Sequence, residues 1–189
     1  MAFDWRDRGV LLGVTGGVAA YKAVMLASRL AQAGALVDVV MTPAAEEFVR
    51  PLQFSAVTHR SVYMNPWHSD RKPEHIALAE RPDIAVVAPC TANTMAKLAT
   101  GLADNLLTSV LLATKKPILL APAMNTGMWT SPATQRNLRT LREDGRAVVG
   151  PGTGNLACGD VGAGRMAEPA EIAAAMEELL QQNDNATLC

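Results

Sequence analysis

The stretch GVLLGVTGGVAAYKAVMLASRLAQAG, residues 9–34, decides the fold class of this chain. Its first part, residues 9–15, is an apolar run rich in β-formers that reaches a pair of glycines. From residue 17 onward the apolar positions recur at helical spacing until Gly34, a residue type that commonly ends helices. Residues 35–42 then predict a second strand, so the pattern indicates a strand, a crossover helix and a parallel strand.

The same alternation continues towards the end of the chain. Further strands are expected at 82–89, 116–124 and 146–150, and further helices at 91–101, 104–114, 131–145 and 168–182. Continuous apolar strands separated by helices are typical of a parallel sheet that is covered on both faces. We therefore expect an α/β fold with a doubly wound, Rossmann- or flavodoxin-like parallel sheet, in one domain over residues 1–182 with a flexible tail at 183–189.

The composition argues against several classes of partner and location. The 189 residues include 17 basic and 18 acidic side chains, so no excess of positive charge favours nucleic acid or an anionic membrane. The apolar runs stay well short of the ~18 residues of a membrane-spanning helix. The N-terminus does not resemble a secretory signal, and three cysteines without a CxxC pair favour a reducing cytoplasm over disulfides or a thiolate metal site.

The glycine-rich turn GVTGGVA, residues 13–19, lies where a strand is expected to end and a helix to begin. Backbone N–H groups at such a turn bind phosphate, although a tight turn without a ligand is the alternative. The turn lacks the GxGxxG spacing of dinucleotide sites and the GK[ST] of a P-loop, and the second strand does not end in an acid. A mononucleotide held by Gly16, Gly17, Thr42 and hydroxyls of CTANT (90–94) therefore fits better, and flavin mononucleotide (FMN) suits this pattern without being selected by it.

Polar residues follow two later strands. Thr91, Asn93 and Thr94 come directly after the strand expected at 82–89, and Thr91 is also placed to cap the next helix. Asn125 follows the strand expected at 116–124, where an amide either forms a turn or binds a small carboxylate or a flavin edge. Because open parallel sheets bind ligands at the carboxyl ends of their strands, these positions are candidate site residues.

The remaining candidates are isolated side chains. His75 lies in the first turn of an expected helix, where a surface or packing role is the simpler interpretation, and the spacing of the three histidines offers no metal site. Cys158 lies in the glycine-rich segment 155–169. Such a segment is suited to a lid, and a thiol on a lid can donate a proton or act as a nucleophile.

Several motifs, taken together and in order, carry a resemblance to a known family: TGGVAAYK (15–22), HIALAE (75–80), APCTANTMAKLATGLADNLLT (88–108), PAMNTGMW (122–129) and ACGDVGAGRMAEP (157–169). Over about residues 8–180 the chain resembles the flavin-dependent cysteine decarboxylases. The resemblance implies FMN as the cofactor, held by Gly16, Gly17, Val18, Thr42, Thr91, Asn93, Thr94 and Met124. It implies catalytic roles for His75, Asn125 and Cys158, and substrate contacts from Asn125, Ala157, Arg165 and Met166.

The same resemblance implies decarboxylation of 4′-phosphopantothenoylcysteine to 4′-phosphopantetheine in coenzyme A biosynthesis. The cysteine would be oxidised to a thioaldehyde, CO2 would leave, and Cys158 would supply a proton when the enethiol is reduced again. Residues 151–168 would form a flap over the substrate, and the chain would form a homotrimer or a dodecamer of trimers. The main alternative is an oxidative decarboxylase of C-terminal peptide cysteines, and a regulatory FMN-binding protein is a more distant one.

Overall fold

Six parallel strands form one sheet in the computed structural model, which describes residues 3–64, 74–156, 159 and 161–187. The strands are β1 (Gly9–Val14), β2 (Leu36–Met41), β3 (Val62–Tyr63), β4 (Ile84–Cys90), β5 (Ile118–Pro122) and β6 (Ala147–Val148). Their order across the sheet is β3-β2-β1-β4-β5-β6, and every neighbouring pair is parallel. The expected doubly wound α/β fold is therefore confirmed.

Helices cover both faces of the sheet. They are α1 (Ala20–Gln32), α2 (Pro51–Thr58), α3 (Glu74–Glu80), α4 (Ala92–Thr100), α5 (Leu106–Ala113), α6 (Thr126–Thr130), α7 (Pro132–Glu143) and α8 (Pro169–Thr187). One apolar core contains Leu26 of α1, Phe54 of α2 and Met176 of α8, and a second core contains Leu78 of α3 and Leu107 of α5. Adjacent residues of β1 divide between these cores because successive strand side chains point to opposite faces.

Local sequence signals account for the ends of several helices. Thr91 caps α4, since its hydroxyl oxygen accepts a hydrogen bond from the Thr94 N–H at 3.4 Å. Gly34 follows α1 with a φ of +99°, which glycine adopts without strain. Thr42 precedes a 3-10 turn at residues 43–47 and makes no capping bond to it through its side chain. Its hydroxyl instead donates to the carbonyl oxygen of Val14 at 3.4 Å.

Two segments differ from the sequence-based expectations. Residues 151–168, expected as a glycine-rich loop, contain an antiparallel hairpin of β7 (Gly152–Asn155) and β8 (Val161–Arg165). Its strands are built of glycine and small or polar residues, so they show no alternation of apolar side chains. The tail expected at 183–189 is helical as far as Thr187. An ion pair of 2.6 Å between Asp184 and Arg8 ties this last part of α8 to the start of β1.

The direction in which the chain winds across the sheet reverses at β1. β2 and β3 lie on one side of β1, whereas β4, β5 and β6 lie on the other. The connections that leave β1 and β4 therefore diverge and leave a crevice at the carboxyl edge of the sheet. Ligands of doubly wound folds bind at this switch point, so the fold predicts a site beside the turns at residues 15–19 and 91–94.

Candidate cofactor and substrate site

A cavity of about 1010 Å³ occupies this switch point. Its walls come from the turn after β1, the residues after β2, the start of α4, the residues that follow β5, and the β7–β8 hairpin. All eight residues predicted to hold the cofactor line this cavity, as do Asn125, Arg165 and Met166 among those predicted to contact substrate. The fold thus brings together residues that lie up to 150 positions apart in the chain.

The two glycines of the turn after β1 differ in the space that surrounds them. A Cβ on Gly16 would lie 2.6 Å from Cβ and 2.7 Å from the carbonyl oxygen of Ala44, so only glycine allows the 3-10 turn to approach β1. A Cβ on Gly17 would meet Thr91 Cγ2 only at 3.7 Å, an ordinary contact at the cavity wall. Ala19, the N-cap of α1, offers no side-chain bond to the first helical turn. This arrangement leaves a backbone surface suited to an anion at the start of α1.

Hydroxyl groups join the carboxyl ends of β1 and β4. Thr15 is buried, and its hydroxyl donates to the carbonyl oxygen of Pro89 at 2.7 Å. Thr15 Oγ1 also accepts a hydrogen bond from the Thr91 N–H at 3.2 Å and lies 3.3 Å from Thr91 Oγ1. Thr91 in turn lies 3.2 Å from the hydroxyl of Thr94. The side chain of Asn93 is exposed and adds an amide to the cavity wall.

Asn125 occupies the turn between β5 and α6 and is the N-cap of that short helix. Its Oδ1 accepts a hydrogen bond from the Gly127 N–H at 2.7 Å, which fixes the orientation of the amide. The N–H of Met124 donates to the carbonyl oxygen of Gly164 at 3.0 Å, so the hairpin is bonded to the residue just before Asn125. The turn role and the ligand-binding role that the sequence left open are therefore compatible.

Sequence reasoning missed Lys22, which lines the cavity although only 5% of the residue is exposed. Its Nζ donates to the carbonyl oxygen of Met166 at 3.2 Å and to Glu168 Oε1 at 2.8 Å. Arg165 donates to the same carboxylate oxygen at 2.6 Å. The hydrogen bond from Lys22, followed by that from Arg165, holds the pKa of Glu168 below its ordinary value. Lys22 shares one helical face with Leu26, and a charge on a buried face was the available signal.

A second missed cation, Lys97, lines the cavity from α4. Its Nζ lies 2.6 Å from an oxygen of Asp104, and this bond lowers the pKa of the Asp104 carboxyl group. Asn105, the N-cap of α5, lines the same part of the cavity and donates to Asp104 at 3.0 Å. These polar residues close the α4–α5 end of the site.

The structure does not bring every predicted catalytic residue to this cavity. His75 lies on α3, which packs against α5, and the described residues that line the cavity include none from α3. Ala157 and Cys158 lie outside the described residues. Cys90 is fully buried in the core, and its burial raises the pKa of the thiol to about 12.

In residues 3–64, 74–156, 159 and 161–187, no three histidine, cysteine, aspartate or glutamate side chains group together as a metal site would require. No helix within these ranges combines the length and the apolar character needed to cross a bilayer.

Known proteins with similar sequences agree with this fold. The family model described as Flavoprotein matches residues 4–181. The coenzyme A biosynthesis bifunctional protein CoaBC of Bacillus subtilis is 45% identical over 185 residues, which are 96% of this chain and 45% of that protein. The chain therefore spans less than half the length of this curated relative.

Two solved structures are also similar. A PPC decarboxylase mutant complexed with pantothenoylaminoethenethiol is 37% identical, with a TM-score of 0.84 over 93% of this chain and 100% of that one. The FMN-dependent cysteine decarboxylase SpaF is 32% identical, with a TM-score of 0.81 over 94% and 97% of the two chains. Because the family model matches residues 4–181, which are nearly the whole chain, the chain belongs to the Flavoprotein family.

Proposed function

We propose that this chain is an FMN-dependent decarboxylase that converts 4′-phosphopantothenoylcysteine to 4′-phosphopantetheine. The observation that carries the proposal is the switch-point cavity, which joins an anion-binding turn after β1 to the Asn125 amide after β5. A structural relative of the same fold holds a pantothenoyl compound that ends in an enethiol. The curated relative that matches this chain acts in coenzyme A biosynthesis, which supports the same substrate class.

The cavity residues fit FMN. The cavity, at about 1010 Å³, matches the upper end of the ~300–1,000 Å³ typical of ligand sites, enough for a nucleotide and a second small molecule. The turn at Gly17 would hold the phosphate with backbone N–H groups, and the hydroxyls of Thr42 and Thr91 would add polar contacts. Met124 and Met128 offer apolar surface for a flat ring system. When bound, FMN supplies the two-electron oxidation that allows a carboxylate to leave from an otherwise unactivated carbon.

The residues of this chain bind and orient the substrate. The Nδ2 group, which is the donor end of the Asn125 amide, would donate to the substrate carboxylate. Arg165 and Met166 contact the substrate from the hairpin side, where Glu168 holds the Arg165 guanidinium at 2.6 Å. Cys158 supplies the proton that completes the reduction of the enethiol, a role that rests on the family resemblance alone.

The proposal includes an oligomer, with trimers as the building block. Val18, Tyr21 and Met25 are 57%, 56% and 55% exposed. Val18 lies two residues before α1 and lines the cavity, and it forms an exposed apolar stripe with Tyr21 and Met25 of α1. A second copy of the chain would cover this stripe. Light scattering of the purified protein tests the oligomer directly. The reducing cytoplasm suggested by the cysteine pattern is the compartment that this proposal assumes.

The substrate class is tested by offering the flavin-loaded protein phosphopantothenoylcysteine and a cysteine-terminated peptide side by side. The proposed enzyme releases CO2 alone from the first substrate, so the mass of the product falls by CO2. An oxidative peptide decarboxylase would instead remove CO2 and two hydrogens from the peptide. Asn125→Ala is the control, because it should retain flavin absorption and lose turnover. Failure of the wild-type protein to act on either compound would reject the proposal.

The role of Cys158 has its own test. A Cys158→Ser variant should release CO2 from phosphopantothenoylcysteine, yet yield a product that lacks two hydrogens relative to phosphopantetheine. Normal phosphopantetheine from that variant would remove Cys158 from the reaction.

A further inference from the structure

The β7–β8 hairpin forms one wall of the cavity, and its second strand packs against α6. We propose that Gly162 is a positioning residue: the absence of a side chain there lets β8 lie directly on Thr126 and so sets the position of the hairpin relative to Asn125. This inference rests on the proposed function, because it assigns a substrate-positioning role to a residue that does not itself line the cavity.

The space at Gly162 leaves no room for a side chain. A Cβ built on this residue would overlap Thr126 Oγ1 and would lie 3.2 Å from Thr126 Cγ2 and 3.3 Å from Thr126 Cβ. Gly162 is not among the glycines with a positive φ, so its backbone would accept alanine without strain. The requirement for glycine is therefore one of contact between β8 and α6, and not one of local conformation.

A second glycine makes the matching contact on the other side of Asn125. Gly164 has a φ of +131°, and a Cβ there would overlap the carbonyl oxygen of Met124. The Met124 N–H donates to the Gly164 carbonyl oxygen at 3.0 Å. The residues on either side of Asn125 are thus held by β8, one through a hydrogen bond and the other through close packing. A displacement of β8 would move the Asn125 backbone and the Arg165 wall together.

The hydroxyl of Thr126 shows that the contact with Gly162 is steric. Its Oγ1 is buried and finds no hydrogen-bond partner among the described residues. A buried hydroxyl without a partner is unfavourable, so no polar interaction compensates for the closeness of β8. Removing this hydroxyl should leave the packing of the hairpin intact and should make room for a methyl group at position 162.

The contact acts on substrate rather than on cofactor. The residues expected to hold the FMN phosphate follow β1, β2 and β4. The three atoms nearest to the Cβ position of Gly162 all belong to Thr126, which follows β5. A change at Gly162 should therefore alter substrate turnover and leave flavin binding as it was. If Gly162 served overall stability alone, its replacement would lower the melting temperature without reducing turnover selectively over flavin binding.

The test compares Gly162→Ala with Gly152→Ala, a change in the other strand of the same hairpin. A Cβ on Gly152 would meet only the Arg165 carbonyl oxygen, at 3.9 Å, so this control should behave as wild type. Gly162→Ala should lower kcat/KM at least about tenfold, with unchanged flavin content. It should also speed hydrogen exchange of the Met124 amide, which bonds to Gly164. Adding Thr126→Ala should reverse both effects, because it removes Oγ1 and Cγ2 and leaves only the Thr126 Cβ, at 3.3 Å from the new methyl group.

Wild-type values of kcat/KM and of Met124 amide exchange in Gly162→Ala would overturn the inference. A double variant as impaired as Gly162→Ala would overturn it as well, since the clash would then lie elsewhere, and so would loss of flavin from Gly162→Ala. If the wild-type protein decarboxylates neither substrate, the proposed function fails. Hydrogen exchange of the Met124 amide, compared between Gly162→Ala and the double variant with Thr126→Ala, would still show whether Gly162 positions the hairpin.

Discussion

Replacing each of two adjacent glycines by alanine should damage this protein in two different ways. At position 16 the new methyl group would lie 2.6 Å from the Ala44 side chain and 2.7–2.8 Å from its backbone carbonyl group. Backbone cannot move aside cheaply, and overpacking of this kind costs ~1–3 kcal/mol. For a chain of this length that corresponds to a melting temperature lowered by about 2–12 °C. The effect should be present in the flavin-free protein.

At position 17 the methyl group meets no protein atom closer than 3.7 Å, and the residue does not have a positive φ. Gly17→Ala should therefore leave the flavin-free protein as stable as wild type, or slightly more stable because the unfolded chain loses freedom. The methyl group would enter the space through which a phosphate approaches the backbone. Losing one charge-assisted hydrogen bond of ~1.5–3 kcal/mol would weaken FMN binding about 10- to 150-fold.

Thermal unfolding of the flavin-free variants and fluorescence titration with FMN measure the two effects separately. Gly16→Ala should shift the melting temperature, whereas Gly17→Ala should shift the dissociation constant alone. Wild-type FMN affinity in Gly17→Ala would refute the assignment of the phosphate to this turn. An unshifted melting temperature in Gly16→Ala would refute the close approach of the 3-10 turn to β1.

Three further outcomes are expected. Asn125→Asp keeps an oxygen to cap α6 but places a negative charge where the substrate carboxylate binds. The kcat/KM value should therefore fall at least about 100-fold while flavin absorption is retained. A kinetic assay and an absorption spectrum of the variant check the two results. The pKa of Glu168 is lowered in the folded state, so the contribution of this carboxylate to stability is present above its ordinary value of 4.5 and is lost as the pH falls below it. Lys22→Met should lose most of this pH dependence. Urea unfolding at a series of pH values would then show a flatter decrease in stability on the acid side. Cys90, with a pKa raised to about 12 by burial, should resist alkylation at pH 8 in the native protein and react after denaturation, as read from peptide masses.

The order of the elements and the edge of the sheet that carries the site could be predicted from the sequence. The apolar runs at 9–15, 35–42 and 82–89 enclose β1, β2 and the larger part of β4. These signals are local, since a buried parallel strand is a continuous apolar run and an amphipathic helix repeats every 3.6 residues. The resemblance of five motifs to the flavin-dependent cysteine decarboxylases is confirmed at the level of the Flavoprotein family.

The contacts between distant segments could not be predicted in this way. The hairpin at 152–165 carries almost no apolar alternation, and its second strand is held by glycine contacts with residues 124 and 126. The pairing of Lys22 with Glu168 joins residues 146 positions apart, and no local pattern links them. That His75 is not among the described residues of the cavity wall likewise depends on how α3 packs, which here is against α5.

The sequence by itself therefore determined a parallel, doubly wound sheet and the set of residues at the carboxyl ends of its strands. Only the tertiary structure decided which of those residues share one cavity and how closely the hairpin lies on Asn125. It also decided that Lys22 is buried in the wall of that cavity. The physical reason is that periodicity and capping depend on neighbours within a few residues of the chain. Packing distances depend instead on atoms that the crossovers bring together, and there the presence or absence of one methyl group decides whether two segments can touch.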